Sequence, residues 1–156
     1  MTQTAEKIEE ITLNTRFGPV SYTEEAILSF PQGIFGFGAL KDFVLANAPK
    51  SELGEFILLQ STEDEAVTFL LHPLQVENCP ITPETIQTAC EAMELDKDDT
   101  SVLTIVSIQR DDNGIEVTTN LRAPLFICAK ERRGYQYILQ DNSFPLRHPL
   151  SSKSPL

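Results

Sequence analysis

The stretch Thr118–Leu150, TTNLRAPLFICAKERRGYQYILQDNSFPLRHPL, holds two β-type runs that meet across a turn and then a proline-punctuated tail. Leu125, Ile127 and Ala129 alternate onto one strand face, and Tyr135, Tyr137 and Leu139 onto another. Between the runs, Glu131-Arg132-Arg133-Gly134 offers a glycine suited to a positive φ, so the segment predicts a β-hairpin. At its upstream end, Asn120 and Arg122 sit where one strand kinks into the next at Pro124. Their side chains there have two possible tasks: satisfying buried backbone groups, or meeting a partner. Arg147 poses the same choice, with a carboxylate pair that pins the tail as its structural task.

Working outward, the pattern stays β. Val102 to Ile108 is the longest apolar run, and Asp111-Asp112-Asn113-Gly114 turns it back into Ile115–Thr119. Phe56–Ser61 and Val67–Leu71 are apolar at nearly every position, which suits strands buried on both faces, and Glu63, Asp64 and Glu65 cap their hairpin as a solvated tip able to dock a partner. Phe43–Ala46, Ala26–Phe30 and a hairpin around Gly18-Pro19, with Ile11, Leu13, Val20 and Tyr22, complete the strands. One α-helix is predicted at about 83–94: Thr82 is a good N-cap, Pro83 suits the first helical position, and Ile86, Ala89, Cys90 and Met93 make one apolar stripe. About eight strands against one helix give a mainly β class, either a small antiparallel barrel or a sandwich curled nearly closed.

Length and composition bound the function. The 156 residues suit a single domain spanning 1–156, with 1–7 and 151–156 as flexible ends and Pro49–Glu52 as a polar link. A net charge of -11 repels a phosphate backbone and favours a protein partner over nucleic acid. Three cysteines, Cys79, Cys90 and Cys128, without C-x-x-C spacing fit neither a disulfide framework nor a zinc site. With no apolar leader and no run near the roughly 20 residues needed to span a bilayer, the expected location is the cytoplasm.

Chemistry finds little support. Both histidines, His72 and His148, precede prolines, and no G-x-S-x-G elbow or H-E-x-x-H pair is present. The expectation is no enzyme, no cofactor and no metal. The loop Gly33-Ile34-Phe35-Gly36-Phe37-Gly38 lacks the lysine and hydroxyl of a phosphate-binding loop; its aromatics either plug a barrel end or form an exposed docking patch. Two further readings remain: a barrel module that takes a small ligand between Phe35, Phe37 and the tyrosines, and a nucleic-acid platform of Lys130, Arg132 and Arg133 beside Tyr135 and Tyr137.

The runs Thr119–Leu125, Arg132-Arg133-Gly134 and Pro145–Leu150, with Thr15-Arg16-Phe17-Gly18, Phe30–Phe37 and Leu59-Gln60-Ser61 upstream, together resemble the FliW family of flagellar assembly factors. Phe35 stands where the family pattern has proline, Gln32 where it has glutamate, and Gly38 where it has an acid. The resemblance implies a barrel and two protein partners: the C-terminal region of flagellin and the RNA-binding regulator CsrA. The two would compete, so that exported flagellin frees the protein to lift CsrA repression of flagellin translation, acting away from the RNA-binding surface. The candidate partner-binding residues are Phe35, Phe37, Glu63, Asp64, Glu65, Asn120, Arg122 and Arg147.

Overall fold

The structure, a computed structural model, describes residues 9–47, 56–74, 81–141 and 143–150. The expected flexible ends, the link Pro49–Glu52 and the segment containing Cys79 lie outside the described residues. In chain order the strands are β1 (Ile11–Thr15), β2 (Gly18–Tyr22), β3 (Leu28–Ser29), β4 (Asp42–Asn47), β5 (Ile57–Ser61), β6 (Thr68–Pro73), β7 (Thr100–Asp111), β8 (Gly114–Thr119), β9 (Leu125–Cys128), β10 (Arg133–Gln136) and β11 (His148–Pro149). The one α-helix among the described residues, α1 (Pro83–Met93), lies between β6 and β7.

Strand β7 decides the architecture, because it is long enough to take three neighbours. One edge pairs with β6 from Leu103 to Val106. The opposite edge pairs with β9 from Thr100 to Leu103 and then with β8 from Val106 to Asp111. The β7–β9 ladder closes the ring β7-β6-β5-β4-β3-β10-β9, while β8 and β11 extend from it as a flap and β1–β2 form a separate hairpin. The sheet is therefore a near-closed barrel, as one of the two expected forms. A departure from the all-antiparallel expectation is the β3–β10 contact, which is parallel and holds one register pair, Ser29 with Arg133. These two strands meet through ring closure and share no turn, so nothing imposes the antiparallel direction on them.

Alternation along the strands sorts the core. Phe43, Leu59, Leu71, Leu103, Leu125 and Ile127 point into the ring, where Phe30 and Ile34 join them. The intervening residues Val44 and Leu58 face outward and are covered by Val20 of the β1–β2 hairpin. Phe126 and Cys128 are covered by Ala89 and Cys90 of α1. Strands β5 and β9 are thus buried on both faces, and β4 is at Phe43 and Val44, which is why these stretches are apolar almost without a break. Each fully buried leucine or phenylalanine stabilises the barrel by about 1.5–3 kcal/mol relative to exposure.

The helix follows its signals. The Thr85 N–H donates to the Thr82 side chain at 3.2 Å, Pro83 opens the first turn, and Glu94 closes the helix in the left-handed conformation at φ 59°. Ile86, Ala89, Cys90 and Met93 all pack on the sheet, as the spacing requires.

The turn between β9 and β10 corrects one expectation. Arg132, and not Gly134, takes the positive φ, at 55°. Gly134 lies in β10 for a different reason: a Cβ there would sit 2.4 Å from Cζ of the fully buried Phe30 ring. Ala129 belongs to the turn, and Tyr137 and Leu139 have left the ladder. Their N–H groups donate instead to the carbonyls of Pro124 (3.1 Å) and Arg122 (2.7 Å).

Candidate functional site

The glycine-rich loop divides its apolar residues between two tasks. Gly33, at φ 71°, brings its Cα so close to Gly38 that an added Cβ would stand 2.7 Å from the Gly38 Cα. This tight crossing drives Phe30 and Ile34 into the barrel end and throws Phe35 outward, where it is 57% exposed. Phe37 is 39% exposed and lies edge-on to Phe69, ring centroids 5.3 Å apart. The plug is therefore Phe30 with Ile34, while Phe35 forms the exposed aromatic point. The Phe35 N–H donates to Oε1 of Gln136 at 2.9 Å, and Nε2 of Gln136 donates to the Ala123 carbonyl at 3.0 Å. One amide side chain thereby ties this loop to the bend at 120–124.

The three acids on the β5–β6 turn have backbone partners. Glu63 Oε1 accepts from the N–H groups of Lys41 (2.8 Å) and Asp42 (3.1 Å), holding the start of β4. Glu65 Oε2 accepts from Asn14 N–H at 3.1 Å, tethering β1, and Asp64 Oδ1 accepts from Ala66 N–H at 3.0 Å. The tip is exposed, as expected, but its carboxylates are not idle, so replacing all three residues carries a folding cost. Beneath them lies Gln60, whose burial its place in the Leu59-Gln60-Ser61 run did not reveal. Fully buried Gln60 donates from Nε2 to the Ser61 carbonyl at 2.9 Å, with the Asp64 and Glu65 carbonyls at 3.4 and 3.3 Å, and its Oε1 accepts from the Thr68 hydroxyl.

The bend at 120–124 uses its polar side chains to hold backbone. Asn120 Oδ1 accepts from Arg122 N–H and Ala123 N–H, both at 3.0 Å. Arg122 Nε donates to the Phe144 carbonyl at 2.9 Å, and Leu121 N–H donates to the Pro145 carbonyl at 3.0 Å. The tail is thus pinned by Arg122 and by the β8–β11 pairing, which Leu150 N–H extends to the Val117 carbonyl. Arg147 is exposed and makes no salt bridge among the described residues, so the expected tail-pinning carboxylate pair falls to Arg122 and a carbonyl instead. The candidates are therefore connected in part: Gln136 joins the Phe35 loop to Asn120 and Arg122, and Glu63 holds Lys41 and Asp42 where that loop runs into β4.

The two other readings meet a different geometry from the one expected. The barrel interior is filled by Phe30, Phe43, Leu59, Leu71 and Leu125, all fully buried, and the tyrosines Tyr135 and Tyr137 line a cavity of about 280 Å³ beside the end of α1, which neither Phe35 nor Phe37 lines. The basic trio is engaged at home: Lys130 lies 3.7 Å from Asp99, Arg132 donates to the Glu25 carbonyl at 2.6 Å, and Arg133 pairs with Glu131 while lying over the Tyr135 ring.

A family model described as FliW protein matches residues 11–150, from the first residue of β1 to just past β11. The chain belongs to the FliW family. A flagellar assembly factor FliW of Clostridium botulinum is 31% identical over 150 residues, covering 90% of this chain and 96% of that protein. One from Clostridium tetani is 34% identical over 143 residues, covering 88% and 94%. One from Bdellovibrio bacteriovorus is 32% identical over 144 residues, covering 92% and 80%. A crystal structure of the flagellar assembly factor FliW superimposes with a TM-score of 0.73 at 27% identity, covering 92% of this chain and 99% of that one. Every region described above, the plug loop, the acidic turn and the bend, lies inside the matched range of the FliW family.

Proposed function

We propose that this protein is a non-enzymatic assembly factor of the cytoplasm that holds flagellin, through its C-terminal region, and the regulator CsrA in alternation. Export of flagellin then leaves it free to bind CsrA and lift repression of flagellin translation. The observation that carries this reading is the family match over residues 11–150. The charge supports it: with 23 acidic and 12 basic side chains, the surface attracts a basic regulator at long range and repels RNA. Among the described residues no helix is long and apolar enough to cross a membrane.

The test is a competition between purified flagellin and purified CsrA for the full chain. Both should bind, and flagellin should displace CsrA. Raising salt from about 50 to about 500 mM, which shortens the screening length several-fold, should weaken CsrA binding by about tenfold. A ternary complex that forms without competition would overturn partner switching, and a salt-independent affinity would remove charge steering.

A further inference from the structure

Strands β6 and β7 part company before either ends. Their ladder runs from Pro73 with Leu103 to Leu70 with Val106, yet β6 reaches back to Thr68 and β7 continues to Asp111. Between the diverging ends lies an open groove of about 820 Å³, bounded at its far side by the tip of the β1–β2 hairpin. Phe37, Phe69, Leu70 and Ile105 give it apolar walls, and each of them is only partly buried. Successive residues of an antiparallel strand turn their N–H and C=O groups to opposite edges. Since Val106 and Thr104 face β6, the next groups on that edge are those of Ile108 and Arg110, which turn into the groove with no register partner. An open strand edge of this kind is a template for another strand.

The groove also has a charge of its own. Arg16 and Arg110 both line it, both are exposed, and neither forms a salt bridge among the described residues. On a chain with net charge -11, two guanidinium groups flanking an apolar trough select for carboxylates. We propose that this groove docks an extended segment of a partner protein, with alternating apolar side chains and flanking acidic ones, that adds to the free edge of β7 as an extra strand. Main-chain pairing to Ile108 and Arg110 would give affinity, the apolar trough would take every second side chain, and the arginines would set register. Failure of flagellin or CsrA to bind would leave this groove unaffected, and its own failure would leave those partners unaffected.

The experiment starts from a phage-displayed random peptide library panned on the full chain, followed by anisotropy measurements with the selected peptide made synthetically. Selected sequences should alternate apolar residues between Asp or Glu. N-methylation of the peptide backbone should weaken binding by about tenfold at every second position and leave the positions between unchanged. The double variant Arg16→Glu, Arg110→Glu should lose about tenfold while melting at the parent temperature. Bound peptide should slow amide exchange at Ile108 and Arg110. Recovery of no peptide, of basic peptides, or of helical i, i+3, i+4 patterns would overturn the proposal, as would an N-methyl profile without a period of two. A second copy of the chain protecting the same amides in the absence of peptide would overturn it as well. If the double variant fails to fold, the N-methyl profile and the exchange pattern on the parent chain still decide.

Discussion

The two edges of β7 meet the same problem and solve it differently. On one edge the partner changes from β9 to β8, and the backbone between them must bend through 120–124. The bend is held by bonds from its own backbone and hydroxyl groups. Asn120 N–H donates to the Ile105 carbonyl at 3.0 Å, and the Thr119 hydroxyl reaches both that carbonyl, at 3.1 Å, and the Thr104 hydroxyl. Thr104 in turn donates to the His72 carbonyl at 3.3 Å. On the other edge β6 departs after Leu70 and the groove is left open to solvent. Buried backbone must be paired, whereas exposed backbone can wait for a partner, so the closed edge is built for stability and the open edge is free for binding.

The largest effect should separate these edges outright. Leu125, fully buried, helps β9 seal the ring against Leu103, and Leu125→Ala should cost about 2–5 kcal/mol in urea denaturation. Phe37→Ala beside the groove removes a partly exposed ring whose contact with Phe69 contributes about 1 kcal/mol. Equal losses would erase the distinction. A smaller effect tests the hydroxyl pair on the closed edge. Thr104→Val and Thr119→Val should each cost about 1 kcal/mol, because each removes a buried hydroxyl that meets both the other hydroxyl and a carbonyl, while the double variant should cost less than the sum of the singles, since the shared bond is lost only once. Simple additivity would mean the two hydroxyls act independently.

The sequence made the closed parts legible and concealed the open one. Strands buried on both faces announce themselves as unbroken apolar runs, and Thr82-Pro83-Glu84 marks a helix start with three concordant residues. Long-range closeness leaves no such mark. Gly134 reads as a turn residue until the Phe30 ring, more than a hundred positions away in the chain, is found against it. Gln60 and Gln136 look like ordinary strand glutamines, although one is fully buried among carbonyls and the other bridges two loops. Glu63 and Glu65 are solvated as their sequence suggests, and what it hid is that they also accept from the N–H groups of Lys41, Asp42 and Asn14, which belong to other strands and neighbouring turns. The groove was hidden for the same reason: a ladder that stops early is a relation between two strands, and neither β6 nor β7 carries it alone.

The smallest expected effect reads the closed half of β6 through pH. His72 pairs with Thr104 in the ladder, packs edge-on against Phe56 at 6.3 Å between ring centroids, and has its pKa lowered by burial from the ordinary 6.5. With the folded pKa below the unfolded one, the unfolded chain takes up the proton first, so stability is complete above about 6.5 and declines as pH falls through that value. It levels off once the folded protein is protonated as well. Other shifted groups act elsewhere: the Asp141 carboxyl, held low by hydrogen bonds from Ser143, loses its contribution only below 3.8, and burial of the Cys90 thiol matters above 9.0. Melting temperatures across pH 5 to 8, a window chosen around the imidazole, should therefore slope in the parent and flatten in His72→Gln. A slope that survives the substitution would place the sensor outside the β6–β7 ladder and would show that the closed half is more hydrated than its hydrogen bonds imply.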